Sequence, residues 1–354
     1  MQGSNKYIWF NFAKKQIMSK IRMAINGFGR IGRATFRNLL NNKNIEVIAI
    51  NDLTDTQTLA HLLKYDSVHR TLDTNIQFDK NNLIVNGYKT RVYNEKDPEN
   101  LPWKELKIDI VIESTGLFAS KSGAEKHLTA GAKKVILSAP AKGEGNEEIP
   151  FVVLGVNNEV IATAGRIISN ASCTTNNVAP LIKILDEKWG IEKGFITTIH
   201  SYTKDQNILD GPHADLRRAR AAAENIVPTT TGAAKAVTRI FPHLAKNIGG
   251  AGIRVPVPNG SLTDLTCTLL KPACIDEINA AFKFASENEL KGILEYTEDP
   301  IVSRDVIGNT HSAIFDSKLT AVLGDKNKLV KVIAWYDNEM GYSNRLVELV
   351  ELFA

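Results

Sequence analysis

One short glycine pattern near the start constrains this chain more than any other feature. Gly27-Phe28-Gly29-Arg30-Ile31-Gly32 follows the apolar run IRMAIN and precedes the helical stretch RATFRNLL. A strand, a glycine turn and a helix in that order open a βαβ unit that binds a dinucleotide. The tight turn calls for Gly27, close approach of the backbone to a pyrophosphate for Gly29, and close helix–strand packing for Gly32. The helix N-terminus adds N–H donors and the positive end of a dipole. The next apolar run, IEVIAIN, leads into Asp52, twenty positions after Gly32. A carboxylate there accepts hydrogen bonds from the adenosine ribose and repels a 2′-phosphate, which points to NAD rather than NADP.

The rest of the first half repeats this grammar. LTDTQTLAHLLKYD reads as a helix with Leu59, Leu62 and Leu63 on one face. IDIVIEST and KKVILSAP read as strands around a helical SGAEKHLTAG. Near-continuous Val/Ile runs separated by helices indicate a parallel sheet covered on both faces. Residues 76–93 alternate around an Asn-Gly pair and read as a hairpin insert. After residue 173 strands become adjacent in sequence and alternate in polarity. The fold class is therefore α/β: a Rossmann-type doubly wound parallel sheet plus an α+β catalytic domain with a mixed, largely antiparallel sheet. The expected boundaries are an N-terminal extension at 1–20, a dinucleotide domain at 21–172 and a catalytic domain at 173–340. A final helix at 341–354, with Leu346, Val350 and Phe353 on one stripe, joins the dinucleotide domain.

Composition narrows the class. With 43% apolar and 23% charged residues among 354, the chain has material for a sizeable core. A net charge of +4 without a long basic block gives no dedicated nucleic-acid partner. No apolar run is long enough for a membrane span. The first seventeen residues hold only YIWF as an apolar core, too short for a secretory signal, and Met18 reads as the preferred start. The cytoplasm is the expected compartment. Three cysteines, 173, 267 and 274, make neither a disulfide framework nor a zinc site, so no metal is expected.

Cys173 is the cysteine with chemistry. It lies in SNASCTTN, between a strand-like RIIS and a helix, and a helix N-terminus lowers a thiol's pKa. Pro180 falls in the early part of that helix, where its missing N–H costs little. Cys267, among alternating apolar residues, and Cys274, after Pro272, read as inert. A thiolate needs a base. Of seven histidines, His61, His127 and His243 fit helical patterns, His69, His213 and His311 fall in polar loops, and His200 ends a strand before a turn. Spacing alone leaves the choice open, with His200 favoured. Thr229-Thr230-Thr231-Gly232 at a helix start and Arg254 in GIRVPVP are anion-site candidates. For the threonines a simple capping role competes; for Arg254, a surface salt bridge does.

Taken together, NGFGRIGR, IND, SNASCTTN, HSYTKDQ, RRARAAAENIVPTTTGAAKAV, RVPVPN and WYDNEMGYSN resemble phosphorylating glyceraldehyde-3-phosphate dehydrogenase of the bacterial type, in order, over residues 20–354. The resemblance implies that Cys173 is the nucleophile and His200 its acid/base. It implies cofactor contacts at Gly27, Gly29, Arg30, Ile31, Gly32, Asp52, Lys96, Ser138 and Asn338, the last on the nicotinamide amide. Ser172, Thr174, Thr203, Arg218, Thr231, Gly232 and Arg254 would hold the C3 phosphate of glyceraldehyde 3-phosphate and the incoming inorganic phosphate. The Arg-rich segment 204–225 resembles an intersubunit loop, implying a homotetramer. Two positions depart from the pattern: Met340, where many relatives have Trp, and Gly211, where NAD-preferring relatives often have Leu. The nearest competing activity is that of erythrose-4-phosphate dehydrogenase. A binding or adhesion protein is the competing class.

Overall fold

The computed structural model describes residues 20–141 and 149–354. The seventeen-residue extension and Met18 lie outside the described residues. Two eight-stranded sheets organise the rest. In the first, β1 (Ile21–Asn26) lies at the centre, paired in parallel with β2 (Ile45–Asn51) on one side and β6 (Ile110–Glu113) on the other. Beyond β6 follow β7 (Lys134–Leu137) and β8 (Ile167–Ser169), both parallel. The sheet reverses winding between β1 and β6, and in open α/β sheets that switch point is where ligands bind, beyond the carboxyl ends of the strands.

The Asn-Gly turn is present. Asn86 (φ 51°) and Gly87 (φ 82°) link β4 (Asn82–Val85) to β5 (Tyr88–Tyr93), with both residues left-handed as a two-residue hairpin turn of this kind requires. The segment is more than an insert, however. The strand β5 pairs in parallel with β2, so the hairpin extends the main sheet. The helix over 56–64 buries Leu59 and Leu63 but turns Leu62 outward, 38% exposed, because only the first two share the face packed on the sheet.

The helix α5 (Cys173–Trp189) is buried on all sides over residues 174–182, and its apolar residues join the core of the second sheet. Its cap is Ser172, whose Oγ accepts from the Thr175 N–H at 3.1 Å. Pro180 falls in the helix interior rather than its opening, where it removes the bond that the Asn176 carbonyl would receive. In the second sheet β9 (Ile191–Ser201) runs parallel to β11 (Ile248–Val255) and antiparallel to β12 (Ser261–Ala273), which in turn pairs antiparallel with β16 (Asn327–Tyr336). The last helix, α8 (Met340–Phe353), returns to the first sheet. Its Leu346, Leu349, Val350 and Phe353 share an apolar cluster with Met23, Ile25 and Phe36. No helix among the described residues is long and apolar enough to cross a membrane.

Candidate active site

A crevice of about 940 Å³ opens at the carboxyl end of β1, lined by Gly27, Gly29, Arg30, Ile31, Asp52, Lys96, Thr115, Thr203 and Asn338 among others. Its glycine turn is closely packed against the protein's own backbone at Gly27 and Gly32. Gly27 has φ +93°, and a Cβ there would lie 2.7 Å from the Thr115 nitrogen. At Gly32 a Cβ would meet the Gly27 carbonyl oxygen at 2.2 Å, so the helix is pressed onto the turn. Gly29 has open space where a side chain would be. Asp52 accepts from the Phe28 N–H at 2.7 Å and from the Thr54 N–H at 3.0 Å, which fixes its carboxylate at the crevice wall. The donor set, the bare backbone and the volume fit a dinucleotide.

Arg30 and Ser138 sit differently from a simple contact list. The Arg30 guanidinium is fully engaged: it donates to Asp66 at 2.6 Å and grips Glu339 at two points. His69 reaches the same Glu339 carboxylate at 2.8 Å. Burial works against the Arg30 charge, but its two carboxylate partners hold its pKa above the usual value. The side chain therefore clamps the glycine turn to the segment carrying Asn338, which leaves the Arg30 backbone to face a ligand. Ser138 follows β7 with its N–H on the Glu113 carbonyl, outside the residues that line the crevice. Asp66 and His69 carry no motif that would single them out in the sequence, and Glu339 lies in the WYDNEMGYSN stretch without a role read for it.

A second cavity, of about 200 Å³, adjoins the first. Ser172, Thr174, Arg218, Thr231, Gly232 and Arg254 line it. Cys173, His200 and Arg254 belong to both cavities. Arg218 is held by Asp205, by Asp215 at 3.5 Å and by the Thr229 hydroxyl at 3.0 Å. Among the described residues no carboxylate lies within salt-bridge distance of Arg254, which replaces the surface-ion-pair reading with a half-buried, uncompensated cation facing both cavities. Thr231 Oγ1 accepts from the Ala233 N–H at 3.2 Å, so this threonine caps its turn and also lines the pocket.

Cys173 Sγ lies 3.5 Å from His200 Nε2. His200 Nδ1 lies 2.8 Å from the Ser201 carbonyl and 2.6 Å from an Arg254 Nη1. With Arg254 drawn onto an anion, the Nδ1–H donates to the Ser201 carbonyl and leaves Nε2 as a base toward Sγ. Burial outweighs the N–H groups at the helix start, which pull the thiol pKa down. Burial pushes the Cys173 thiol up, against the opposing pull of the Arg254 charge and the Thr174 N–H. Burial, with Arg254 next, pulls His200 down to about 3. Both shifts favour the neutral forms of the pair, thiol and imidazole, while Arg254 lies against Nδ1. Cys267 is buried in β12, and burial pushes its thiol up to about 12, as suits an inert residue. His127, fully buried between Glu113 and the Trp103 indole, is structural.

Two family models match the chain: glyceraldehyde 3-phosphate dehydrogenase, NAD binding domain, over residues 21–121, and glyceraldehyde 3-phosphate dehydrogenase, C-terminal domain, over 172–338. The glyceraldehyde-3-phosphate dehydrogenase of Geobacillus stearothermophilus is 56% identical over 335 residues, 94% of this chain and 98% of that one. That of Thermotoga maritima is 57% identical over 333 residues, again 94% and 98%. The chain belongs to the glyceraldehyde-3-phosphate dehydrogenase family. The two departures noted in the sequence are legible in this frame. Met340 opens α8 with its N–H on the Asp337 carboxylate, a backbone contact that any residue there makes. Gly211 lies in the exposed 204–225 segment, its carbonyl bonded by Asn207.

Proposed function

We propose that this glyceraldehyde-3-phosphate dehydrogenase family member oxidises glyceraldehyde 3-phosphate with NAD and inorganic phosphate, giving 1,3-bisphosphoglycerate. The observation that carries the reading is the position of Cys173 and His200 at the junction of a dinucleotide-sized crevice and a cationic pocket. Gly27, Gly29, Arg30, Ile31, Asp52, Lys96 and Asn338 form the NAD side, with Gly32 packing the turn behind them and Ser138 outside the crevice lining. Ser172, Thr174, Thr203, Arg218, Thr231, Gly232 and Arg254 form the phosphate sites. Residues 21–172 with the last helix act as the NAD-binding domain, and 173–340 as the catalytic domain.

His200 removes the Cys173 proton and returns it to the aldehyde oxygen as Sγ adds to the aldehyde carbon, which gives a thiohemiacetal and leaves His200 neutral again. NAD, when bound, supplies the hydride acceptor. His200 takes the hydroxyl proton as the C–H bond breaks, and the carbon remains on Sγ as a thioester. The Cys173 N–H at the start of α5 would stabilise the developing oxyanion. A phosphate oxygen, held beside Arg218 and Thr231, attacks the thioester carbon and Cys173 leaves as thiolate. The expected result is NADH production that requires phosphate, with NAD preferred over NADP; equal rates in phosphate-free buffer would overturn the phosphorylating reading and favour the erythrose-4-phosphate type.

Ile208, Leu209, Leu216 and Ile226 are all more than two-thirds exposed, on or directly after the 204–225 segment. So dense a set of solvent-facing apolar side chains supports burial against further copies of the chain, in a homotetramer. Light scattering should give the mass of four chains, and Leu216→Asp should lower it; a monomeric wild type would refute the assembly. The enzyme works in the cytoplasm in this reading.

A further inference from the structure

Asn338 is 6% exposed and its amide must point one particular way to be of use to a ligand. Its Oδ1 accepts from the Ser201 hydroxyl at 3.0 Å and from the Ser261 hydroxyl at 2.8 Å. Ser261 Oγ in turn accepts from the Ser201 N–H at 3.1 Å. Both serines are essentially fully buried.

The proton inventory makes this arrangement one-way. The Ser261 oxygen already accepts from a backbone N–H, so its single hydrogen must find an acceptor, and Asn338 Oδ1 is that acceptor. The Ser201 hydroxyl, at zero exposure, has the same need and the same partner. Flipping the Asn338 amide would place its NH₂ against two hydroxyls and strand two buried hydrogens. With Oδ1 doubly engaged, the Asn338 NH₂ is the end left for the crevice that this residue lines.

The serines are brought there by register. Ser201 ends β9 and Ser261 begins β12, which pairs with β9 on one side and, at Ser261, with Tyr336 of β16 on the other. Asn338 follows two residues after Tyr336. Ser201 has a second duty, since its carbonyl lies against His200 Nδ1. One residue thus ties the base to the amide that faces the cofactor crevice.

We propose that Ser201 and Ser261 are positioning residues that lock the Asn338 NH₂ as a donor to the nicotinamide carboxamide oxygen. This rests on the assignment of Asn338 to the nicotinamide end of NAD. Calorimetric titration of the full-length protein with NAD and with ADP-ribose, which lacks the nicotinamide, tests both. Ser261→Ala and Ser201→Ala should each weaken NAD about tenfold, the scale of one or two lost hydrogen bonds, and leave ADP-ribose within about twofold. Asn338→Ala should separate the two ligands in the same way. If Asn338→Ala affects both ligands equally or neither, the assignment of Asn338 falls, and the proposal with it. If Asn338→Ala separates them while both serine variants bind NAD normally, or weaken both ligands alike, the assignment stands and the positioning role of the serines is overturned.

Discussion

Replacing Cys173 with serine should reduce NADH production by about 10⁴-fold or more, with NAD binding unchanged. The magnitude follows from the chemistry of the pair. A thiol is within reach of a neutral imidazole as base, and sulfur is strongly nucleophilic, whereas a serine hydroxyl is far more weakly acidic and His200 has no carboxylate behind it to help. Its Nδ1 meets only a carbonyl and a guanidinium. An oxygen at position 173 would also give an ester, which phosphate attacks less readily than a thioester. The same variant should lose the fast component of alkylation by iodoacetamide. Cys267 is buried with its thiol pushed up to about 12, and Cys274 lines neither cavity, so the fast-reacting thiol is assigned to Cys173, the cysteine beside His200. Retention of more than about one hundredth of the wild-type rate would mean that the covalent route is wrong.

How much of this site the sequence discloses depends on how far apart its parts lie along the chain. The glycine turn and Asp52 fall within one βαβ unit, so a local pattern is enough to find them. Cys173 could be singled out by its polar flanks and the helix behind it, but the reason offered for its reactivity was incomplete. The helix N-terminus acts over a few ångströms in one direction, while burial on every side pushes the thiol the other way. Only the packed structure shows which of the two effects is larger. His200 lies 27 residues from Cys173, and it is the end of β9 beneath the start of α5 that joins them. No periodicity encodes that meeting; the resemblance supplied it.

The engaged state of Arg30 was invisible for the same reason. Glu339 is 309 positions away, delivered by the return of the last helix to the first sheet. A motif can say that position 30 faces a phosphate-binding turn, but not that its guanidinium is already held by two carboxylates. Leu62 illustrates the smaller scale. Three leucines within five residues satisfy a helical stripe on paper, yet a nine-residue helix lying on a sheet buries only the narrower face that Leu59 and Leu63 define. Ser201 and Ser261 are 60 residues apart and ordinary in composition; strand register alone makes them neighbours.

The second large effect concerns His200. Its Asn variant should lower kcat by about 10²- to 10⁴-fold, the usual contribution of a positioned acid/base. Asparagine is close in shape and can still reach the Ser201 carbonyl, so the packing around Tyr336 and Arg254 should survive, and with it NAD affinity. What is lost is basicity. Burial and the neighbouring Arg254 hold His200 down near 3, so the imidazole rests neutral, and it accepts the Cys173 proton once an anion draws Arg254 off Nδ1. The same environment makes the imidazolium a short-lived carrier, ready to give its proton up. The variant should therefore slow two measurable events together: alkylation of Cys173 in the presence of inorganic phosphate, and the pre-steady-state formation of NADH from glyceraldehyde 3-phosphate. If the asparagine variant kept both rates within tenfold of the wild type, the proton would have to leave Cys173 by another route, and the site would hold no general base at position 200.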